Sequence, residues 1–229
     1  MMKINMVSMG CSKTLVDSEK LMYQLVQNGS QVFFEQEGVF DAVIINTCGF
    51  IADAKEESVE MIFQKIAEKH AGKTTFVIVM GCLTQRYAEA IRREIPEIDA
   101  VFGVDEPEKV IQWLSAKENI ADRHKRVITT PSHYAWLKIA EGCNRKCSFC
   151  AIPAIRGRQI SLPVEDIIKE ALFLRDRGVK EILLVAQDLT AYGTDRYHSN
   201  KLAALLRELE NIDGLEWIRL HYAYPANFP

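Results

Sequence analysis

The amino-acid sequence predicts an α/β protein made of two consecutive series of parallel strands and helices. Short apolar runs alternate with segments in which apolar residues recur at helical spacing. A charged stretch within residues 118–134 interrupts this alternation once, and a second series follows it. Because strands that alternate with helices form β–α–β units, each series predicts its own parallel sheet.

The first series has five strand-like runs, at residues 4–7, 32–34, 42–45, 76–80 and 100–102. Five parallel strands with helices between them are consistent with a flavodoxin-like, doubly wound order. Helical spacing predicts three apolar helix faces, made by Val59, Ile62, Phe63, Ile66 and Ala67, by Leu83, Tyr87, Ala90 and Ile91, and by Val110, Ile111 and Leu114.

The second series predicts strands at residues 135–140, 182–186 and 217–220. A helix that starts near Pro163 and another around residues 202–209 connect them. Three β/α units do not close a barrel, and an open third strand leaves an unpaired edge. We therefore expect this chain to be a fragment of a longer protein.

Composition and charge restrict the class of protein. The 229 residues are 48% hydrophobic and carry a net charge of −3, so no global positive field attracts nucleic acid or an anionic membrane. The N-terminus lacks the apolar region of a signal peptide, and no apolar run is long enough to span a bilayer. These features predict a cytoplasmic protein, in which six cysteines indicate metal binding or catalysis rather than disulfides.

Three cysteines, Cys143, Cys147 and Cys150, lie within eight residues directly after a predicted strand. Four thiolates normally saturate a 4Fe–4S cluster, so three would leave one iron open to a ligand. An open coordination position is typical of a catalytic metal centre. The alternative is a zinc site completed by His133, although zinc sites favour a second close pair of cysteines, which this sequence lacks.

The other cysteines, Cys11, Cys48 and Cys82, are far apart in sequence, but each follows a predicted strand by a few residues. Ligands of open parallel sheets bind beyond the carboxyl ends of the strands, where three such positions converge. This shared position favours a second cluster held by three thiolates. The alternative is three ordinary buried thiols, since unpaired cysteine is a common core residue.

The spacing C-x3-C-x2-C, with Phe149 before the last cysteine, resembles the signature of the radical S-adenosylmethionine superfamily. In that superfamily the open iron chelates S-adenosylmethionine, whose reductive cleavage yields methionine and a deoxyadenosyl radical. The resemblance implies that the second series is the first part of a partial (β/α) barrel and that Phe149 binds the cofactor near its adenine. An aromatic ring that shields the cluster from water would explain Phe149 equally well.

A wider set of stretches is similar to the methylthiotransferase family, in its branch that modifies protein 12 of the small ribosomal subunit. The stretch after Cys11, Ser12-Lys13-Thr14, and the stretch after Cys48, Gly49-Phe50-Ile51, differ from those of the tRNA-modifying branch. The matching stretches are residues 9–13, 16–19, 46–51, 54–58, 81–83, 85–87, 137–143, 149–153 and 217–222.

This resemblance implies three parts: a methylthiotransferase N-terminal domain at residues 1–117, a linker at 118–134 and a truncated radical S-adenosylmethionine domain at 135–229. It implies two 4Fe–4S clusters, S-adenosylmethionine, a reducing electron donor and a ribosomal protein substrate that is methylthiolated on an aspartate β-carbon. It implies no membrane, and contact with nucleic acid only through the ribosome or a further C-terminal domain. Two alternatives remain: a tRNA adenosine methylthiotransferase and a non-catalytic iron–sulfur protein.

Other polar residues near the second cysteine set have two interpretations each, and no catalytic side chain is assigned. A basic patch around the cysteine loop would face an acidic protein loop or ribosomal RNA, or would simply be a solvated surface. The polar residues that follow the later strands would bind S-adenosylmethionine, or would serve as caps and packing groups. These residues are Arg145, Lys146, Arg156 and Arg158, and Gln187, Asp188, His221 and Tyr222.

Overall fold

A computed structural model describes residues 1–104, 106–115 and 121–225 of the chain. The chain divides into two compact units, Met1–Val127 and Ile128–Pro229. The division falls within the predicted linker at residues 118–134. The predicted boundary between residues 117 and 118 and the last residues of the predicted second domain, 226–229, lie outside the described residues.

The first unit is built on a parallel sheet of five strands. The strands are β1 (Lys3–Ser8), β2 (Gln31–Phe34), β3 (Phe40–Thr47), β4 (Thr74–Gly81) and β5 (Ala100–Val101). Their order in the sheet is β2-β1-β3-β4-β5, and all the pairings are parallel. The predicted flavodoxin-like, doubly wound order is therefore confirmed.

Four helices cover both faces of this sheet. They are α1 (Ser12–Gln27), α2 (Ala52–His70), α3 (Cys82–Glu94) and α4 (Pro107–Leu114). Neighbouring residues of a strand point to opposite faces, so Ile44 packs with α1 and α4 while Ile45 packs with α2 and α3. Both side chains are fully buried, which is why β3 reads as a continuous apolar run.

The predicted apolar face of α2 is partly wrong. Phe63 is 54% exposed, whereas Ser58 and Ile62 are fully buried. The Ser58 hydroxyl hydrogen-bonds to the backbone of Cys48, which turns this side of the helix towards the sheet. The buried side of α2 therefore includes the polar contact of Ser58 as well as Ile62, and the apolar pattern alone did not reveal it.

The second unit begins with β6 (Tyr134–Lys138) and β7 (Ala140–Glu141), which the sequence predicted as one strand. The elements that follow are α5 (Ile152–Arg156), β8 (Ile160–Ser161), α6 (Val164–Asp176), β9 (Glu181–Val185), a short 3-10 helix (Leu189–Ala191), α7 (Leu202–Glu210) and β10 (Trp217–His221). The parallel sheet has the order β10-β9-β6, and β7 pairs with β8 in an antiparallel manner. This arrangement agrees with the predicted partial β/α barrel.

The core of the second unit lies between its parallel sheet and helices α6 and α7. Leu137 and Leu184 of the sheet pack with Ile167 and Leu174 of α6 and with Leu205 of α7, and all five side chains are 0–1% exposed. Strand β10 is at the edge, and its Trp217 is 64% exposed. Across the described parts of both units, no helix combines the length and the apolar character that crossing a membrane requires.

Candidate functional site

The first unit brings three cysteines to one edge of its sheet, where the strands lead into the helices that follow them. Cys48 directly follows β3, Cys82 directly follows β4, and Cys11 comes three residues after β1. Strands β1, β3 and β4 are direct neighbours in the sheet. Ser8 is in register with Asn46, and Thr47 with Gly81, so the three loops leave the sheet side by side.

Two glycines let these loops pack directly on one another. Gly10 has φ +103°, and a Cβ added there would lie 2.8 Å from Cβ and 3.2 Å from Sγ of Cys48. A Cβ added at Gly49 would lie 2.5 Å from the carbonyl oxygen of Cys82. The loop of Cys11 therefore contacts that of Cys48, which in turn contacts the first turn of α3 at Cys82. Larger residues at Gly10 or Gly49 would force these loops apart.

The Ser58 hydroxyl fixes the backbone of Cys48. It accepts a hydrogen bond from the Cys48 amide at 3.0 Å, and lies 3.2 Å from the Cys48 carbonyl oxygen and 2.8 Å from that of Ala54. Ser58 is fully buried. Because a buried polar group is costly without partners, this hydroxyl ties the start of the loop to α2.

A second buried network supports the loop of Cys11. The side-chain amide of Asn46 donates to the carbonyl oxygen of Thr14 at 3.2 Å and to the hydroxyl of Ser18 at 3.0 Å. The hydroxyl of Ser18 in turn lies 3.0 Å from that of Ser8. The Thr14 hydroxyl is 3.6 Å from Sγ of Cys11, within hydrogen-bonding range for sulfur. Strand β3 thus holds the first turn of α1, which begins directly after Cys11.

The second cysteine loop runs from β7 to α5 and is closed at its base. The amide of Cys143 donates to the carbonyl oxygen of Gly157 at 3.1 Å, next to the antiparallel pair of β7 and β8. Within the loop, the Cys150 amide donates to the Cys147 carbonyl oxygen at 3.1 Å, and the Arg145 amide lies 3.4 Å from Sγ of Cys143. All three cysteines are partly exposed, so a ligand reaches this loop from solvent.

A carboxylate that is largely but not fully buried anchors the strand that enters this loop. Glu141 pairs with Arg156 at 2.9 Å and with Lys138 at 2.7 Å. Burial raises the pKa of Glu141, but the charges and hydrogen bonds of Lys138 and Arg156 outweigh this effect and lower it to about 2. The Arg156 side chain is only 2% exposed. Arg156 therefore belongs to the interior and is not part of a basic surface patch.

Two polar residues that the sequence singled out separately form a pair. Nε of Arg145 donates to Oδ2 of Asp188 at 2.5 Å. Asp188 is 4% exposed and also accepts hydrogen bonds from the amide and hydroxyl of Thr190, at 3.0 and 2.6 Å. Sequence reasoning missed this contact because the partners are 43 residues apart. The one available signal was that both residues follow a strand of the same predicted sheet.

Phe149 and His133, also singled out from the sequence, occupy very different positions. Phe149 is 88% exposed and extends from the cysteine loop. His133 immediately precedes β6 and therefore lies at the amino end of that strand. A strand of five residues spans roughly 16 Å, so His133 is remote from the cysteines at the other end. The geometry does not support a zinc site completed by His133.

Among the described residues, no three side chains of cysteine, histidine, aspartate or glutamate are close enough to hold a single metal ion. A 4Fe–4S cluster binds one thiolate on each ligated iron, so its protein sulfurs are spread around a body larger than one ion. Each cysteine set offers three thiols without a disulfide; Cys82 is buried and the other five are partly exposed. This donor set fits an iron–sulfur cluster better than a single zinc ion.

Comparison with known families finds two separate matches, each of which contains one of the two cysteine sets. Residues 3–103 match the uncharacterized protein family UPF0004, and residues 137–226 match the radical SAM superfamily. The first match contains Cys11, Cys48 and Cys82, and the second contains Cys143, Cys147 and Cys150. The chain therefore combines a UPF0004 region, which forms the N-terminal α/β unit, with a radical SAM region.

Curated relatives narrow this class further. The chain is 48% identical over 228 residues to the ribosomal protein uS12 methylthiotransferase RimO of Porphyromonas gingivalis, and 49% identical over 231 residues to that of Flavobacterium johnsoniae. Each match covers 99% of this chain but 52% of the relative. Over 99% of its length the chain is therefore similar to radical S-adenosylmethionine methylthiotransferases, the family that the sequence analysis identified by resemblance, and it spans about half the length of these relatives.

Solved structures support the fold. The radical S-adenosylmethionine methyltransferase TsrM from Kitasatospora setae, with cobalamin and a [4Fe-4S] cluster bound, aligns with a TM-score of 0.58 at 15% identity. The alignment covers 90% of this chain and 50% of the other. The same enzyme with tryptophan and a S-adenosylmethionine analogue bound aligns with a TM-score of 0.59. At this identity the similarity concerns the fold alone.

Proposed function

We propose that this chain carries the cluster-binding part of a methylthiotransferase that acts on ribosomal protein uS12. In this proposal Cys143, Cys147 and Cys150 hold one 4Fe–4S cluster, and Cys11, Cys48 and Cys82 hold a second. The observation that supports it most directly is the arrangement of the first unit. Three neighbouring strand ends each supply one cysteine, although the cysteines are 37 and 34 residues apart in sequence (11 to 48 and 48 to 82).

The proposed domains are residues 1–117 for the N-terminal domain, 118–134 for the linker and 135–229 for the part of the radical domain in this chain. When bound at the second loop, a reduced cluster supplies the electron that cleaves S-adenosylmethionine to methionine and a deoxyadenosyl radical. Cys143, Cys147 and Cys150 would hold this cluster, and the hydrogen bond from the Cys143 amide to the Gly157 carbonyl oxygen closes the base of their loop. Exposed Phe149 is proposed to cover the adenine once the cofactor binds.

The first unit is proposed to present the sulfur that is transferred. Its cysteine edge is held by the buried hydroxyl of Ser58, which fixes the backbone of Cys48, and by the side-chain amide of Asn46, which fixes the first turn of α1 after Cys11. The substrate class comes from the relatives, whose names specify uS12. The acceptor is proposed to be an aspartate β-carbon of that protein. The reaction needs a reducing electron donor and is placed in the cytoplasm.

Iron content tests the two-cluster proposal. Anaerobic reconstitution should give about eight irons per chain, since each cluster contains four. Cys48→Ala and Cys147→Ala should each lose about half of this iron, and the combined variant nearly all of it. Circular dichroism of each variant controls for misfolding. Loss of all iron from one single, well-folded variant would contradict two independent sites, and bound zinc in anaerobically purified protein would contradict iron–sulfur chemistry.

Mass spectrometry tests the substrate. In a strain that lacks the gene, protein uS12 should lose the mass of one methylthio group, while methylthioadenosine in tRNA stays unchanged. Restoring the gene should restore the group, and restoring a Cys147→Ala gene should not. The tRNA alternative predicts the reverse pattern. It is disfavoured by the residues that follow Cys11 and Cys48, which resemble those of the protein-modifying branch.

A further inference from the structure

We propose that Arg145 is a positioning residue that fastens the second cysteine loop to the neighbouring strand ends, and that Asp188 serves as its anchor rather than as a ligand for S-adenosylmethionine. The contacts concern Arg145, Asp188, Thr190 and Tyr224, which we call the arginine staple. Its effect on a cluster rests on the proposed function, whereas its effect on the loop does not.

The arginine staple joins three loops at the carboxyl edge of the second sheet. Arg145 lies in the cysteine loop after β7, Asp188 follows β9, and Tyr224 follows β10. Nε of Arg145 donates to Oδ2 of Asp188 at 2.5 Å, and Nη2 lies 3.4 Å from the hydroxyl of Thr190. The guanidinium carbon lies 3.6 Å from the ring centroid of Tyr224. One side chain therefore contacts both of the other strand ends.

The buried side of the staple is Asp188. Its carboxylate is 4% exposed, so its charge needs a close partner, and Arg145 provides one. The remaining oxygen, Oδ1, accepts hydrogen bonds from the backbone amide and the hydroxyl of Thr190, so Asp188 caps the 3-10 helix. Both carboxylate oxygens are thus engaged by the protein. This is the reason to assign Asp188 to the loop and not to the amino group of S-adenosylmethionine.

The exposed side of the staple explains why arginine suits this position. A guanidinium is planar, so it stacks on an aromatic ring while its edge donates to a carboxylate. Lysine offers a compact charge that does not satisfy both contacts at once. Tyr224 is 43% exposed, so the stack lies on the surface above the buried anchor. Arg145→Lys should therefore fasten the cysteine loop only in part.

Arg145 lies between two proposed cluster ligands, so the arginine staple should affect how firmly the loop holds a cluster. It lies two residues after Cys143 and two before Cys147, and its own amide is 3.4 Å from Sγ of Cys143. Fixing its side chain restricts the path of the backbone between the two thiols. Residues that orient metal ligands typically change metal affinity about 10–100-fold when they are removed. We expect a cluster to assemble without the staple but to dissociate faster.

The first test needs no cluster. In iron-free protein, amide hydrogen exchange of residues 143–150 should become faster in Arg145→Met, and less so in Arg145→Lys. Lys146→Met is the matched control, because Lys146 is an exposed basic residue of the same loop. Exchange in helix α6 should stay unchanged, which shows that the unit remains folded. Equal exchange rates in Arg145→Met and Lys146→Met would contradict the proposal that Arg145 fastens the cysteine loop.

The second test measures the cluster. Variants are made in a background with Cys11, Cys48 and Cys82 changed to alanine, and iron release to a ferrous chelator is followed. Arg145→Met should release iron about tenfold faster than Lys146→Met. Equal rates would overturn the consequence for the cluster. Failure of the background protein to bind iron at all would overturn the proposed function instead. The hydrogen-exchange experiment would still test whether Arg145 fastens the cysteine loop.

A double-mutant cycle tests the role of Asp188. Asp188→Asn should speed iron release as Arg145→Met does. The double variant should release iron no faster than either single variant, because the two substitutions remove the same contact between Arg145 and Asp188. Equilibrium dialysis with S-adenosylmethionine provides the second readout. If Asp188→Asn weakens S-adenosylmethionine binding further in the Arg145→Met background, Asp188 contacts that ligand directly and its assignment as a pure anchor is wrong.

Discussion

Replacing Gly10 with alanine should abolish the proposed cluster of the first unit and spare that of the second. The added Cβ would lie 2.8 Å from Cβ and 3.2 Å from Sγ of Cys48. Carbon atoms in contact are normally about 3.5–4.0 Å apart, so Cys48 would have to move by roughly 0.7 Å or more. Cys48 cannot retreat easily, because its backbone is held by Ser58 and follows β3 directly.

This displacement exceeds what a metal site tolerates, since functional side chains have to be held within about 0.5 Å of the productive geometry. Reconstituted Gly10→Ala should therefore contain about four irons per chain instead of about eight. The matched control is Gly29→Ala. Gly29 also has a positive φ, +90°, but an added Cβ would meet no atom within 4 Å. The control thus has a similar backbone cost, roughly 1–2 kcal/mol, without the contact.

Iron and sulfide assays after anaerobic reconstitution measure the outcome, and thermal unfolding by circular dichroism measures the backbone cost in both variants. Equal iron contents in Gly10→Ala and Gly29→Ala would refute the reasoning, because the contact with Cys48 would then be irrelevant to the cluster. If Gly10→Ala instead lost iron from both cysteine sets while remaining folded, the proposed independence of the two sites would be wrong.

Three further predictions concern the second unit. Arg156→Met should destabilise it by about 3 kcal/mol in urea unfolding, because the buried carboxylate of Glu141 loses a partner, whereas exposed Arg158→Met should change stability by less than about 0.5 kcal/mol. Phe149→Ala should leave the unfolding midpoint unchanged but weaken S-adenosylmethionine binding in equilibrium dialysis, and equal binding would remove Phe149 from the cofactor site. Burial raises the pKa of Asp195, but hydrogen bonds from the amide and hydroxyl of Ser161 outweigh this effect and hold the pKa below its usual range. The ionised carboxylate therefore stabilises the fold at neutral pH, and this contribution is lost as the pH falls through the lowered pKa. Asp195→Asn should make acid unfolding less steep.

The alternation of strands and helices was predictable because it depends on local patterns. Buried strands such as β3 and β4 read as apolar runs, and the helices between them show 3.6-residue spacing. The position of Cys48 and Cys82 just after these strands followed from the same patterns. The short strands β7 and β8, of two residues each, are too brief to show any period. Their pairing became visible only in the folded unit.

By itself, the sequence determined the two β/α series, the position of Cys11, Cys48 and Cys82 after three strands, the position of the other three cysteines after a fourth, and the resemblance to the family. The tertiary structure decided which groups meet. It turned Ser58 towards the backbone of Cys48, and it paired Arg145 with Asp188 across 43 residues. Local periodicity reports how one element is buried, whereas such contacts depend on sheet order and register, which bring distant loops to the same edge.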